Sequence, residues 1–243
     1  MGLLSLPSLT SETLKVIVFT YTYITTILLF GEILSKKCDL PLYITRKIIH
    51  TLAGTWMFIS LYLFEQWEYL VLTCVSFIVF NFIFLQLKIF RSMDPREGAT
   101  LGTVYFPISC AFLIGYFHEG WENGFPRGRE YLAIAGIMAM TFGDASASVI
   151  GKTYGRRGYQ VIGTSHEKRT YEGSLAFFIF TLLSVSFFWS LMSPPELDSK
   201  WNYFWGSLIS ASVGTFLESI SPMGTDNLTV PVGVSFILSI LGF

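Results

Sequence analysis

The chain has 243 residues, 52% of them hydrophobic and 17% aromatic, with only 14% charged. Soluble domains carry about a quarter charged residues, so this composition excludes an ordinary soluble fold. The net charge of −1 speaks against a nucleic-acid partner, and the scattered Cys38, Cys74 and Cys110 support neither a disulfide framework nor a zinc site.

Eight apolar segments are predicted as helices, near 14–34, 48–64, 69–87, 100–117, 131–150, 173–192, 203–220 and 228–243. Most approach the ~20 residues that span a bilayer. The first has no basic stretch before it and is too long for a signal-peptide core, so it is read as a retained helix. The third, with "FIVFNFIFLQLKIF", presents phenylalanines that meet lipid or line a groove. Ser, Gly and Pro interrupt the seventh and eighth, and the last is short. No stretch remains for a soluble domain. The expectation is all-α: a polytopic helix bundle with seven to eight transmembrane helices, one integral-membrane domain over 1–243.

Lys and Arg set the expected orientation. Twelve of the sixteen fall in the loops after the odd-numbered segments: Lys36, Lys37, Arg46, Lys47, Lys88, Arg91, Arg96, Lys152, Arg156, Arg157, Lys168 and Arg169. Lys15, Arg127, Arg129 and Lys200 lie on the other side. The positive-inside rule then places those odd loops in the cytoplasm and both termini outside.

Four chemically unusual stretches share that cytoplasmic side. In "TRKIIHTLAG", Arg46, Lys47 and His50 fall on one helical face, with Gly54 a turn deeper. Arg46 and Lys47 also fit the role of headgroup anchors, whereas an ionisable His50 within a membrane segment points to function. In "TFGDASASVIGKTYG", Asp144, Ser148, Gly151 and Gly155 recur at helical spacing beside Ala147. Small residues at that spacing suit helix packing, but they leave the carboxylate unexplained. A carboxylate at a helix centre costs about 2.5–3.5 kcal/mol on insertion scales, so Asp144 needs a cation, a metal or water. In "GTSHEKRTYEGS", Thr170 is an expected N-cap and Glu172 a first-turn acid, with Lys168 and Arg169 beside them as a potential anion site. In "ESISPMGTDNLTVP", Glu218, Asp226 and Asn227 gather around a turn punctuated by Pro222 and Pro231. Carboxylates suit Mg²⁺ held together with substrate phosphates, and the cations suit the phosphates. No Walker motif and no protein-kinase signature is present.

From about residue 31 to the C-terminus the chain resembles the polyprenol kinase family: dolichol, phytol and farnesol kinases and the CTP-dependent diacylglycerol kinase of yeasts. The family pattern DxxAxxxGxxxG followed by KKTxEG stands here as Asp144, Ala147, Gly151 and Gly155, then Lys168, Arg169, Thr170, Glu172 and Gly173, with Arg for the second Lys. "RKIIH" is similar to the family's RKxxH element and "DNLTVP" to its DN-and-proline element. The resemblance implies CTP-dependent phosphoryl transfer to the hydroxyl of a membrane-dissolved isoprenoid alcohol, with Mg²⁺ as cofactor and the site at the cytoplasmic face.

In those terms Asp144, His50 and Glu172 are catalytic candidates, and Asp144 and Asp226 metal ligands. Ala147, Gly151, Gly155, Lys168, Arg169, Thr170, Gly173, Arg46 and Lys47 bind nucleotide, with Asn227 and Glu218 as further members of one cleft. The partners are a nucleoside triphosphate, a lipid alcohol and the bilayer. Alternatives are a CTP-dependent diacylglycerol kinase, a phosphatidate cytidylyltransferase-like enzyme and, from another class, a membrane transporter.

Overall fold

The computed structural model describes residues 6–38, 40–90, 100–119, 121–122, 125–126, 128–162, 164, 168–197 and 199–243. Arg91, Arg96 and Arg127, which enter the charge count, lie outside them.

All eight predicted segments are helical. They are α1 (Ser11–Lys37), α2 (Leu42–Leu63), α3 (Trp67–Leu87), α4 (Gly102–Tyr116), the continuous pair α5 (Glu130–Met138) and α6 (Ala145–Tyr154), α7 (Tyr171–Met192), α8 (Lys200–Ile220) and α9 (Asp226–Ile240). Two short antiparallel hairpins join them: β1 (Trp121–Glu122) with β2 (Phe125–Pro126), and β3 (Gly158–Gln160) with β4 (Lys168–Thr170). The second hairpin occupies part of the long loop after the fifth segment. Gly158 pairs with Thr170 and Gln160 with Lys168.

Local chemistry sets the ends. Thr10, Thr170 and Ser199 each accept a hydrogen bond from the backbone three residues on, capping α1, α7 and α8 at about 1 kcal/mol apiece. Glu12 stands in the first turn of α1 and Lys36 and Lys37 in its last, matching the helix dipole. One expectation is corrected at α9: Pro231 lies inside the helix and does not punctuate the preceding turn. Gly224, at φ +80°, makes that turn, in a conformation that side chains rarely adopt.

Among the described residues, four helices are long and apolar enough to cross a membrane: α1, α3, the run Glu130–Tyr154 and α7. The Glu130–Tyr154 span is 67% buried, against 22% for α1 and α3, so it forms the axis on which the others pack. Val18, Phe19 and Phe30 on α1, Val79 and Phe82 on α3, and Leu183 and Phe187 on α7 face outward, as lipid-facing side chains do. The chain is a membrane protein.

That axis is not a uniform α-helix. Residues Ala139–Asp144 form a π segment between α5 and α6. Such a turn loosens the regular i→i+4 ladder, and carbonyls freed in lipid need new donors. Neighbouring helices supply them. Ser184 bonds the Met138 carbonyl at 3.4 Å, Thr181 that of Ala139 at 3.4 Å, and His50 Nε2 that of Met140 at 3.3 Å. Farther along, Trp189 Nε1 donates to Tyr131 and Ser235 to Leu132. The π segment ends on Asp144.

Candidate functional site

Asp144 and Ala147 are buried in the α5–α6 span. The small residues of its motif bring α6 against the start of α7. A Cβ on Gly173 would stand 3.0 Å from the Ala147 carbonyl and 2.9 Å from Thr170 Oγ1, and one on Gly151 2.9 Å from the same hydroxyl. A Cβ on Gly155 would collide with the Gly151 carbonyl. Ala147, Gly151, Gly155, Thr170 and Gly173 thus form a close helix contact that fixes the α6 backbone behind Asp144. Gly54 acts likewise on α2, where a side chain would collide with Thr141.

Two ionised clusters stand side by side. In the first, Lys47 Nζ bonds Asp144 Oδ2, and His50 Nε2 lies 3.8 Å from the same oxygen. His50 also rests on Phe106, their ring centroids 4.8 Å apart. In the second, Arg169 on β4 bonds Glu218 at the end of α8, Asp226 Oδ2 at 3.0 Å and the Ser221 carbonyl at 3.0 Å. Asp226 Oδ1 in turn accepts from the Asn227 backbone at 2.9 Å and side chain at 3.0 Å. Asp144 feels both Lys47 and Arg169, and Asp226 feels Asp144, so the clusters form one electrostatic unit. Burying a charge is tolerable when it is paired, and each carboxylate here has a cation.

Beside Asp144 lies a cavity of about 310 Å³ among α1, α2, α3, α4, α6 and α9. Its polar end carries Tyr43, Arg46, Lys47, His50, Asp144, Ser148, Lys152 and Asn227. Its other walls are mostly apolar and include Leu28, Trp56, Met57, Phe77 and Phe106, with Thr20, Ser60, Thr73 and Asn81 among them. Phe77 and Asn81 of the Phe-rich α3 point inward, while Phe80 and Phe82 face out, so that helix serves both purposes named for it.

The sequence-predicted residues therefore divide. Arg46, Lys47, His50, Asp144 and Asn227 line the cavity. Arg169, Glu218 and Asp226 form the adjoining clasp. Lys168 is exposed on the hairpin. Glu172 accepts from the Arg157 backbone at 3.4 Å and does not line the cavity. Among the described residues no three His, Cys, Asp or Glu side chains form a self-sufficient metal site. Sequence reasoning counted Lys152 only as a loop charge. It lies four residues beyond Ser148 and eight beyond Asp144, so the same helical spacing identifies it.

Fold and site together define a membrane protein with a buried ionised centre at the polar end of an apolar cavity. The chain is 30% identical over 220 residues to the phytol kinase of Synechocystis sp., covering 89% of this chain and 87% of that protein. It belongs to the polyprenol kinase family and is a phosphotransferase with an alcohol group as acceptor. No family model and no solved structure matches it.

Proposed function

We propose that this protein transfers the γ-phosphoryl group of CTP to the hydroxyl of a membrane-dissolved isoprenoid alcohol of the phytol, farnesol or polyprenol type. One observation carries the reading: the Asp144–Lys47 pair stands where a polar mouth meets an apolar cavity. A lipid whose only polar group is a terminal hydroxyl matches that gradient, with its oxygen at the carboxylate and its chain in the apolar part. Single-domain organisation, seven to eight spans, termini outside and a cytoplasmic mouth belong to the same proposal, supported by the twelve-to-four distribution of basic residues.

Phosphoryl transfer needs positioning and charge neutralisation more than covalent chemistry from the protein. Asp144 accepts the hydroxyl proton, and Lys47 holds its carboxylate toward the incoming oxygen. His50, bonded to the Met140 carbonyl, keeps the π segment in place and so aims Asp144. Arg46 and Lys152 at the mouth, with Lys168 on the hairpin, attract the triphosphate. The acidic residues fit Mg²⁺: Asp144 and Asp226 are hard oxygen donors, and Glu218 Oε2 is buried without a partner among the described residues. When bound between those carboxylates and the phosphates, Mg²⁺ would neutralise charge on the transferring group.

The test is incubation of the purified protein with labelled CTP or ATP and a panel of phytol, farnesol, a long polyprenol and diacylglycerol. The expected products are CDP and a phosphorylated isoprenoid alcohol. Pyrophosphate release, or transfer to diacylglycerol alone, would replace this reading with one of the other lipid enzymes.

A further inference from the structure

The apolar arm of the cavity has a measurable depth and a closed end. His50, whose Nε2 lies 3.8 Å from Asp144 Oδ2, and Ser60 both line it and stand ten residues apart on α2, about 15 Å at 1.5 Å per residue. At the far end Thr20, Ser60, Leu70 and Cys74 are at most 2% exposed. Phe64 and Phe117, equally buried, belong to the same core cluster as Leu70 and Cys74. A volume of about 310 Å³ is at the low end of the ~300–1,000 Å³ of small-molecule sites, which suits one hydrocarbon chain and not two.

Resting on the kinase reading above, we infer that this blind arm is a chain-length gauge, with Ser60, Leu70 and Cys74 as its floor. It accepts a single-chain aliphatic alcohol whose main chain advances no farther than the distance from Asp144 to that floor. A zigzag of 1.5 Å bonds advances about 1.3 Å per carbon, so 15 Å holds about 12 main-chain carbons. The gauge works by exclusion, because a tail already solvated by lipid gains little from entering an equally apolar arm. A chain that is too long strikes the floor and holds its hydroxyl away from Asp144. A displacement of about 1 Å at a reacting centre costs on the order of a hundredfold in rate.

The experiment uses purified protein in detergent and a series of saturated, methyl-branched primary alcohols of graded length. Turnover with CTP and Mg²⁺ is measured beside thermal stabilisation by the same alcohols without nucleotide. In the wild type, kcat/KM holds level to about 12 main-chain carbons and falls at least about tenfold beyond them. Cys74→Phe, which raises the floor, moves the break to about eight carbons, and Ala53→Phe, three residues past His50, to about three or four. Leu70→Ala lowers the floor and moves the break to longer chains, and it serves as the second variant if either phenylalanine prevents folding. The nucleotide KM stays constant throughout. A break that stays in place in these variants, or no break in either measurement, overturns the gauge even with kinase activity intact. If no alcohol is phosphorylated but the break in thermal stabilisation still moves in this order, the gauge stands and the kinase reading falls.

Discussion

The Lys47–Asp144 pair and the Arg169 clasp use the same chemistry for different ends. Lys47 is a compact charge on a flexible stem, meets one carboxylate and borders a cavity. Arg169 spreads a planar guanidinium over Glu218, Asp226 and the Ser221 carbonyl, tying β4 to the α8–α9 turn. A single point-charge contact exchanges readily for another ligand, whereas a guanidinium held by three acceptors is a fixture. On this comparison we propose that the Lys47–Asp144 pair meets the reacting groups, while Arg169 is the fixture that holds the Glu218 and Asp226 carboxylates in place.

The largest effect that would test this division is on turnover. Asp144→Asn keeps the side-chain volume and removes the charge, and kcat should fall at least about a hundredfold while the melting temperature in detergent stays near wild type. Near-normal turnover would end the assignment of Asp144. Arg169→Ala should show the opposite balance. It leaves two buried carboxylates without their cation, which destabilises by about 3–5 kcal/mol, read as a lower midpoint in thermal or denaturant unfolding. If its stability is unchanged and only the nucleotide KM rises, Arg169 belongs with the phosphate-binding groups.

Smaller effects sharpen the picture. Lys168→Ala should raise the nucleotide KM by about tenfold with kcat preserved, the size of one charge-assisted contact. A rise confined to the KM for lipid would make the hairpin a headgroup site. His50→Gln should be mildest, within about threefold of wild-type kcat, because an amide still donates the single neutral hydrogen bond that the Met140 carbonyl receives. His50→Ala should lose more, and equal loss in both variants would mean that the imidazole itself takes part in the reaction.

Much of this was legible in the sequence. Apolar runs gave all eight helices, because their length and composition are set locally. Asp144 and His50 stood out because ionisable groups within membrane segments are conspicuous in a chain this apolar, whereas Lys47 also fitted a headgroup anchor. Pairing was another matter. That Asp144 meets Lys47 while Asp226 meets Arg169 depends on how α2, α6, β4 and α9 converge, which composition cannot convey. The glycines of the Asp144 motif were readable as helix packing, and they do bring α6 onto α7. The π segment stayed hidden because its support comes from Ser184, Thr181 and His50, which lie far from it in sequence, so that their carbonyl partners show only in the fold. Three-residue strands such as β3 and β4 carry too little alternation to register.

The π segment also acts as a setting of angle. Each α-helical residue turns the chain by about 100°, so one extra residue in the widened turn rotates everything after it by about that amount. Asp144, Ser148 and Lys152 form a single stripe four residues apart, and that stripe points at the cavity. Without the extra residue, the same side chains would face a different quadrant of the bundle while the helix kept its length and direction. The compass bearing of the carboxylate is thus written into the backbone one turn before it.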